Sequence, residues 1–152
     1  GQMDFTKSLL EEFQHTRRLT REIFLAMTDG DVQFRPTQDQ MAFGTQLLHA
    51  ISCWQTLERA AGGAEWTWDL GYTLEAYPSQ STILTLLDDL TAKSDSFWRG
   101  LEPEEWTRAQ SVPWGAPQPL LQLFVSFLVH EGHHRGQMVT YLRQKGMVPP
   151  PY

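Results

Sequence analysis

Four long stretches of the chain place their apolar residues three and four positions apart, the spacing that puts them on one face of an α-helix. Glycines or turn residues end each stretch, as at Gly62-Gly63, Gly100 and Gly146. A chain of 152 residues can form one domain with its own core. We therefore predict a single all-α domain over residues 1–152, a four-helix bundle with long inter-helix loops. Its helices are predicted at Asp4–Met27, Ala42–Ala61, Ser79 or Ser81 to Arg99, and Pro119–Lys145.

Two of the connecting segments contain tryptophan. Residues 64–78 predict an ordered aromatic loop, and residues 107–118 predict a loop or a small hairpin, after one short helical turn at Pro103–Trp106. Two interpretations of their aromatic residues stay open, because these side chains either line the mouth of a site or cover the end of the bundle. The residues concerned are Trp66, Trp68, Tyr72 and Trp114.

The charge of the chain argues against nucleic acid as a partner. Eighteen acidic residues outweigh twelve lysines and arginines, so the formal charge is −6. Phosphate recognition needs a basic stripe, and the chain has only the cluster Arg17, Arg18 and Arg21. Acidic residues stand beside that cluster on the same helix, so we expect the three arginines to form a solvated face.

Membrane insertion is not expected either, because no apolar run approaches the roughly 18–20 residues that span a bilayer. The lone cysteine, Cys53, excludes an intramolecular disulfide and favours a cytoplasmic location. Gly1-Gln2 precedes Met3, and we interpret this dipeptide as an expression remnant.

Candidate chemistry concentrates in the last predicted helix, where residues 130–134 read His-Glu-Gly-His-His. His130 and His134 are four residues apart, so both imidazoles project from one face and can reach a single divalent metal ion. His133 lies about 60° from His130 on the helix, and this spacing leaves it open as a ligand, a neighbour of the ligands or a rim residue.

A third ligand must come from another helix, and the choices are His49 and His15. His49 lies in a stripe of small or polar residues that leaves room for an ion, whereas charged residues surround His15 at helical spacing. This contrast favours His49. Cys53 follows one turn later and is either a thiolate close to the metal or a small core residue.

Other residues of the last helix lie near the histidine face. Gln137 and Tyr141 fall on the same stripe as His130 and could orient a water or a ligand. Glu131 lies about 100° from His130, at the edge of that face, where it would either support the site or be exposed to solvent. Between these two, the exposed position is favoured. Arg135 points away and is expected to pair with an acid of a neighbouring helix or across a dimer contact.

The string His130-Glu131-x-x-His134 also matches the zincin pattern, in which the glutamate is the general base of a protease. Zincins need a third ligand further along the chain. The metzincin continuation requires glycine where this chain has Gln137 and then another histidine, and no Asp or Glu follows Glu131. A zincin-type protease is therefore the remotest alternative.

Taken together, these motifs resemble the DinB-like family of four-helix-bundle proteins. The resemblance rests on His130-x-x-x-His134-Arg135-Gly136-Gln137, on Leu47-Leu48-His49, on Arg35-Pro36-Thr37 and on Gly146 before the proline-rich tail. It implies three metal-ligand histidines, His49, His130 and His134, and it is this resemblance that selects His134 over His133. It also implies a divalent metal ion, with zinc or nickel preferred and manganese or iron as alternatives, and a homodimer.

The resemblance further implies a function. Relatives include thiol-dependent transferases, so the expected function is a metal-dependent hydrolase or a thiol S-transferase acting on a small-molecule substrate or a low-molecular-weight thiol. The alternative is a non-catalytic metal-binding stress-response module with the same three ligands. No further catalytic residue is evident in the sequence.

Overall fold

The computed structural model describes residues 4–151, so Gly1-Gln2 lies outside the described residues. Four α-helices dominate the fold, as the apolar spacing predicts. Each lies within two residues of its predicted bounds. They are α1 at Thr6–Ala26, α2 at Phe43–Ala61, α3 at Gln80–Arg99 and α4 at Leu120–Gln144.

Local signals explain where the helices begin and end. Ser79, one of the two predicted caps, accepts a hydrogen bond from the Thr82 amide, and the Thr82 hydroxyl accepts one from the Ser79 amide. This reciprocal capping box begins α3. Gly63 follows α2 with φ of 104° and Gly146 follows α4 with φ of 78°, a left-handed conformation that side chains disfavour and glycine allows.

Apart from a 3-10 helix at Asp29–Asp31, the remaining regular structure of the described residues lies between α3 and α4. A 3-10 helix occupies Pro103–Thr107, and a two-stranded antiparallel hairpin follows, with β1 at Ala109–Val112 and β2 at Gly115–Pro119. The hairpin decides between the two alternatives left open for residues 107–118. Trp114 lies at its turn, and this position brings a tryptophan from a distant part of the chain beside the loop after α2.

The helices pack so that α1 and α2, although consecutive in sequence, lie diagonally across the bundle. The main contacts join α2 with α4, α1 with α3, α1 with α4, and α2 with α3. The α2–α4 pair is antiparallel, because Gln46 meets His134 while Trp54, further along α2, meets Phe127. Among residues 4–151, no helix combines the length and apolarity needed to cross a bilayer.

Two apolar clusters fill the bundle, one toward each end. The first joins all four helices around Phe43, Leu87 and Leu142, and the second is rich in aromatic rings, with Trp54, Trp98 and Phe124 among its members. Polar side chains separate the clusters at mid-height on α1, α2 and α4. They are Arg17, Thr20, Gln46, Glu131 and His134, and each is at most 7% exposed. Buried polar groups are tolerated only when partnered, so this polar layer fixes how the helices align.

One expectation fails in this layer. Arg17 was expected on a solvated face with Arg18 and Arg21, but it is only 3% exposed. Its guanidinium reaches the carboxylate of Glu131 on α4 at 3.0 Å and the hydroxyl of Thr91 on α3 at 2.8 Å, and it lies 4.8 Å from the centre of the Phe13 ring. The charge pattern along α1 could not reveal this, because the partner carboxylate lies 114 residues away.

Candidate metal centre

The three histidines assigned by resemblance converge between α2 and α4. The ligand nitrogens of His49, His130 and His134 all lie within 4.8 Å of one another. His130 and His134 are the closest pair, with their Nε2 atoms 3.2 Å apart. Two nitrogens on a tetrahedral ion at about 2.0 Å would be about 3.3 Å apart. The donor set therefore fits a divalent cation with one or more open positions.

A chain of hydrogen bonds fixes which nitrogen of His134 faces the cluster. The Tyr141 hydroxyl donates to the Met41 carbonyl at 2.9 Å, so it must accept from the Gln46 amide nitrogen at 3.1 Å. The Gln46 amide oxygen then faces His134 and accepts a hydrogen bond from Nδ1–H, with the two heavy atoms 2.5 Å apart. Nε2 of His134 is left with its lone pair directed at His49 and His130, as a metal ligand requires.

The environment keeps all three imidazoles neutral. Burial lowers the pKa of His49. Burial and then the neighbouring rings of His49 and His133 lower the pKa of His130, against an opposing effect of Glu131. Burial, followed by the other three imidazoles, lowers the pKa of His134 to about 3. Neutral rings with free lone pairs bind cations, whereas protonated rings do not.

His130 has a buried nitrogen whose hydrogen bonding is unsatisfied. Its Nδ1 has no hydrogen-bond partner among residues 4–151, and its Nε2 faces the lone pair of His134. Without a cation, His130 must place its proton on Nε2 to satisfy His134. A cation between the two Nε2 atoms removes that requirement, so this orphaned atom also fits a metal site.

A small polar pocket of about 260 Å³ opens on the His134 side of the cluster, and we call it the polar pocket. His133 is exposed and lies on its rim, with its ring centre 4.9 Å from that of His134. His133 does not join the group of three converging ligand atoms. Gln137 and Tyr141 also line this pocket, so the stripe expected on α4 does surround the site.

A larger pocket of about 380 Å³ opens on the His49 and His130 side, and we call it the aromatic pocket. Trp68, Trp114 and Phe127 line it, together with Cys53 and Ser126. The Cys53 sulfur lies 3.8 Å from Nε2 of His49. The Cys53 sulfur is not among the three converging ligand atoms, and in the absence of a cation burial raises the pKa of the thiol to about 11. The structure therefore places Cys53 as a neutral pocket residue.

The four aromatic residues for which two interpretations stayed open divide between the two roles. Trp68 and Trp114 line the aromatic pocket, and Trp66 packs behind them, with its ring centre 5.7 Å from that of Trp68 and 5.1 Å from that of Trp114. Tyr72 instead packs against Tyr77 and the first apolar cluster. Tyr72 thus belongs to the covering of the bundle.

Glu131 corrects a second expectation, because it is completely buried and not exposed. Its carboxylate accepts hydrogen bonds from Arg17 at 3.0 Å and from the Thr20 hydroxyl at 2.7 Å, on the α1 side of the helix. Burial alone raises the pKa of Glu131, but other effects outweigh it and lower the pKa. These effects are the charge and hydrogen bonds of Arg17, the hydrogen bond from the Thr20 hydroxyl and the charge of Arg135. A carboxylate engaged in this way cannot serve as the general base of the zincin pattern.

The Arg135 side chain, like that of Glu131, extends from α4 to α1. Its Nη1 atom donates to the Thr16 carbonyl at 3.2 Å, to the Thr16 hydroxyl at 2.7 Å and to the Thr20 hydroxyl at 3.2 Å. Its charge also helps to keep Glu131 ionised. One face of α4 thus carries the histidines, and the adjacent face binds α1 through Glu131 and Arg135.

No single sequence motif reveals that Gln46 orients His134. Gln46 shares the small and polar stripe of His49 on α2, and His134 is four residues after His130 on α4. Only the antiparallel packing of the two helices brings Gln46 to Nδ1 of His134. A polar residue on an otherwise small-residue stripe was the available signal.

Comparisons with known proteins agree with this architecture. The sequence profile of the DinB superfamily matches residues 12–138. The uncharacterised protein YrdA of Bacillus subtilis (strain 168) is 23% identical over 146 residues, which are 93% of this chain and 83% of YrdA.

Two crystal structures share the fold. A DinB-like protein from Bacillus cereus ATCC 10987 superposes with a TM-score of 0.79 at 17% identity, covering 96% of both chains. The DinB-like protein YjoA from Bacillus subtilis gives a TM-score of 0.75 at 15% identity, covering 95% of this chain and 96% of YjoA. Profile, relative and folds agree with the resemblance found in the histidine motifs, and the chain belongs to the DinB superfamily.

Proposed function

We propose that this protein binds one divalent metal ion through His49, His130 and His134 and uses it as a metal-dependent hydrolase or thiol S-transferase. The observation that carries the proposal is the convergence of three ligand nitrogens within 4.8 Å. Zinc and nickel are the preferred ions, because neutral imidazoles suit them, and iron or manganese are the alternatives. When bound, such a cation supplies Lewis acidity, which polarises a substrate and strengthens water or a thiol as a nucleophile.

The residues of the chain would divide the work. The Gln46 amide holds Nδ1 of His134 protonated and so keeps the Nε2 lone pair directed into the cluster. The polar pocket, with Gln137 on its wall, gives water or the polar end of a thiol a path to the cluster. The aromatic pocket on the opposite side gives a second reactant its own path. Access from two sides favours a reaction between two compounds.

A non-catalytic metal-binding stress-response module is the second candidate. It is favoured by the absence of an acid from the cluster, since among the described residues the convergent group contains histidines alone. Glu131, the nearest acid in sequence, is engaged by Arg17. This module would share the ligands and the ion and lack turnover. For both candidates we also propose a homodimer and a cytoplasmic location.

Metal titration tests the shared part of these proposals. Protein stripped with a chelator is titrated with zinc and, separately, nickel, and bound metal is measured by elemental analysis after dialysis. We expect one ion per chain, and at least about a hundredfold weaker binding for His49→Ala and for His134→Ala, because each removes one of three ligands. His15→Ala, on the exposed face of α1, is the matched control. Unchanged binding in both ligand variants would overturn the site.

Turnover separates the two candidates. Metal-loaded and metal-free protein are compared on a panel of esters and amides, and on low-molecular-weight thiols with an electrophile. A rate that depends on the metal and is lost in His49→Ala supports the enzyme. Stoichiometric metal binding with no metal-dependent rate on either panel supports the module.

A further inference from the structure

The aromatic pocket has dimensions and walls that suit one kind of ligand. Its volume of about 380 Å³ lies near the lower end of the range for small-molecule sites. Trp68, Trp114 and Phe127 present ring faces or edges to the cavity, while His49 and His130 form the end nearest the cluster. A flat compound of one or two rings could therefore stack on the walls with a substituent directed at the histidines.

Within residues 4–151, no acid, lysine or arginine lines this pocket. Apart from the aromatic rings and imidazoles, the lining contains only Cys53 and Ser126. In the metal-free protein, an ionised ligand group moved from water into these walls would lose its hydration and meet no oppositely charged side chain. The lining thus discriminates against carboxylates and ammonium groups and admits neutral compounds.

The two tryptophans stay partly open to solvent even though the loops that carry them are fixed. Trp68 is 46% exposed and Trp114 is 49% exposed. The backbone beside Trp68 is tied to α2 by the Thr56 hydroxyl, which donates to the Thr67 carbonyl at 2.6 Å. Trp66 donates from Nε1 to the Ser111 carbonyl of β1 at 2.8 Å and so joins the loop to the hairpin. Exposed rings on a fixed backbone form a surface prepared for stacking.

The polar pocket also contains no acid, lysine or arginine among its described lining residues, but it differs in its hydrogen-bonding walls. Gln40, Gln46, His133 and Gln137 line it and offer hydrogen-bond donors and acceptors. The histidine cluster lies between the two pockets, since His49 and His130 line one and His134 lines the other. A reactant that needs hydrogen bonds fits the polar side, and a ring compound fits the aromatic side.

We propose that the aromatic pocket binds an uncharged aromatic compound of one or two rings and is the substrate-recognition half of the site. As a substrate assignment this rests on the proposed function. The binding step itself needs only the walls described above, so it can be measured without metal and without turnover.

The test uses three matched compounds with metal-free protein. They are 2-naphthol, which is neutral and aromatic, decahydro-2-naphthol, which is neutral and saturated, and 2-naphthoate, which is aromatic and anionic. Isothermal calorimetry gives each dissociation constant, and tryptophan fluorescence checks the naphthol titration. We expect 2-naphthol to bind most tightly, the saturated alcohol about 3- to 10-fold more weakly for want of stacking, and 2-naphthoate at least about tenfold more weakly for want of a cation.

Variants locate the binding. Trp114→Ala should weaken 2-naphthol binding about 3- to 10-fold, and Trp114→Phe should restore most of it because a ring face returns. Trp68→Ala provides an independent second variant on the other segment. Leu25→Ala, which truncates an exposed apolar residue of α1, is the control and should bind 2-naphthol normally. Circular dichroism confirms that each variant is folded before titration.

The ligand-binding test can fail or succeed independently of the tests of metal binding and turnover. Equal affinity for 2-naphthol and 2-naphthoate, or full affinity in both tryptophan variants, would overturn the assignment even if metal binding and turnover are demonstrated. Tighter binding of the saturated alcohol would show an aliphatic site and overturn it too. Tryptophan-dependent 2-naphthol binding would support it even in a protein that fails the zinc titration.

Discussion

His134 and Gln46 face each other across the α2–α4 interface, and their hydrogen bond decides which imidazole nitrogen points into the histidine cluster. The direction of that hydrogen bond depends on the Met41 carbonyl, which can only accept a hydrogen bond and so makes the Tyr141 hydroxyl a donor to it. The Tyr141 oxygen then accepts from the Gln46 amide nitrogen, which turns the amide oxygen toward His134. The tautomer of a proposed metal ligand thus depends on a backbone group at the beginning of α2. Groups that orient a ligand in this way commonly matter nearly as much as the ligand itself.

Gln46→Ala should weaken metal binding without removing a ligand. The loss of the acceptor leaves His134 free to change tautomer and to rotate, and we expect zinc affinity to fall about 10- to 100-fold. The measurement is competition with a chromophoric chelator at fixed pH. Gln122→Ala, a glutamine exposed on α4, is the matched control and should bind zinc as the unaltered protein does. Equal affinity in both variants would show that the bond does not orient His134.

Metal affinity should depend little on pH above the ordinary histidine value. The pKa values of His49, His130 and His134 are all lowered, the last to about 3, so no proton need be displaced near neutrality. We expect the zinc dissociation constant to change by less than about threefold from pH 8.0 to 6.5, the ordinary histidine pKa. Chelator competition at several pH values measures it. A tenfold weakening between pH 8 and 7 would contradict the neutral cluster.

The same shift predicts how the metal-free protein responds to acid. Below pH 6.5 the unfolded chain takes up protons on these histidines while the folded protein resists, so the folded state binds fewer protons. Their contribution to stability is therefore lost as the pH falls from 6.5 toward the folded value of about 3 for His134. Urea unfolding of the protein and of His134→Ala across this range should show a weaker acid dependence in the variant.

The buried pair Arg17 and Glu131 should behave differently from an exposed ion pair. Arg17→Met leaves a carboxylate inside the bundle without its main partner, and we expect about 3–5 kcal/mol of lost stability in urea unfolding. Arg21→Met removes the half-exposed pair with Asp88 and should cost less than about 1 kcal/mol. The double variant Arg17→Met, Glu131→Leu should cost clearly less than the sum of its single changes. Additive losses would mean that the pair is not coupled.

The carboxyl of Glu58 should make the stability of the fold depend on pH in the opposite direction from the histidines. This α2 residue is buried beside Ser94 and Trp98, and burial raises its pKa to about 7. Hydrogen bonds from Ser94, Trp98 and Gln55 and the charge of Arg17 oppose this shift only in part. Between the ordinary value of 4.5 and 7 the folded state binds more protons than the unfolded chain. This contribution to stability is complete below pH 4.5 and is lost as the pH rises through 7, by about 3 kcal/mol.

Glu58→Gln isolates that contribution. The variant cannot ionise at this position, so its free energy of unfolding should fall less between pH 5 and 8 than that of the unaltered protein. The comparison of slopes is independent of any constant cost of placing an amide next to the Trp98 donor. Parallel curves for the two proteins would show that Glu58 titrates normally.

Cys53 should be dispensable for metal binding. Its thiol is protonated near neutrality because burial raises its pKa to about 11. Cys53→Ser should therefore bind zinc within about threefold of the unaltered protein, and iodoacetamide should modify the native thiol much more slowly than a free cysteine. A large loss of zinc affinity would instead make the sulfur a fourth ligand.

Much of this molecule follows from local patterns. Helical periodicity and turn residues predict all four helices, because each apolar face must be buried and because Gly63 and Gly146 adopt the left-handed conformation that follows α2 and α4. The spacing of His130 and His134 is likewise local. The small and polar stripe of its helix favours His49, the family resemblance selects His134 over His133, and the folded chain brings these three nitrogens together.

The errors arise where a side chain finds its partner in a distant segment. Arg17 and Glu131 each looked like surface residues in their own helices, and each is buried only because the other lies opposite. Gln46 gained its role in the same way. Single-helix reasoning assigns a face to each residue, but it cannot tell which residue of another helix will occupy the facing position.

Helices supply the histidines and Gln46, whereas Trp68 and Trp114 of the aromatic pocket come from a loop and a hairpin turn. In the functions proposed above, capture of the ion and choice of the compound would therefore depend on separate parts of the polypeptide. Exchange of residues 64–78 or of the hairpin could redirect selectivity while the cation remains held as before. One bundle can in this way be adapted to many chemicals without being refolded.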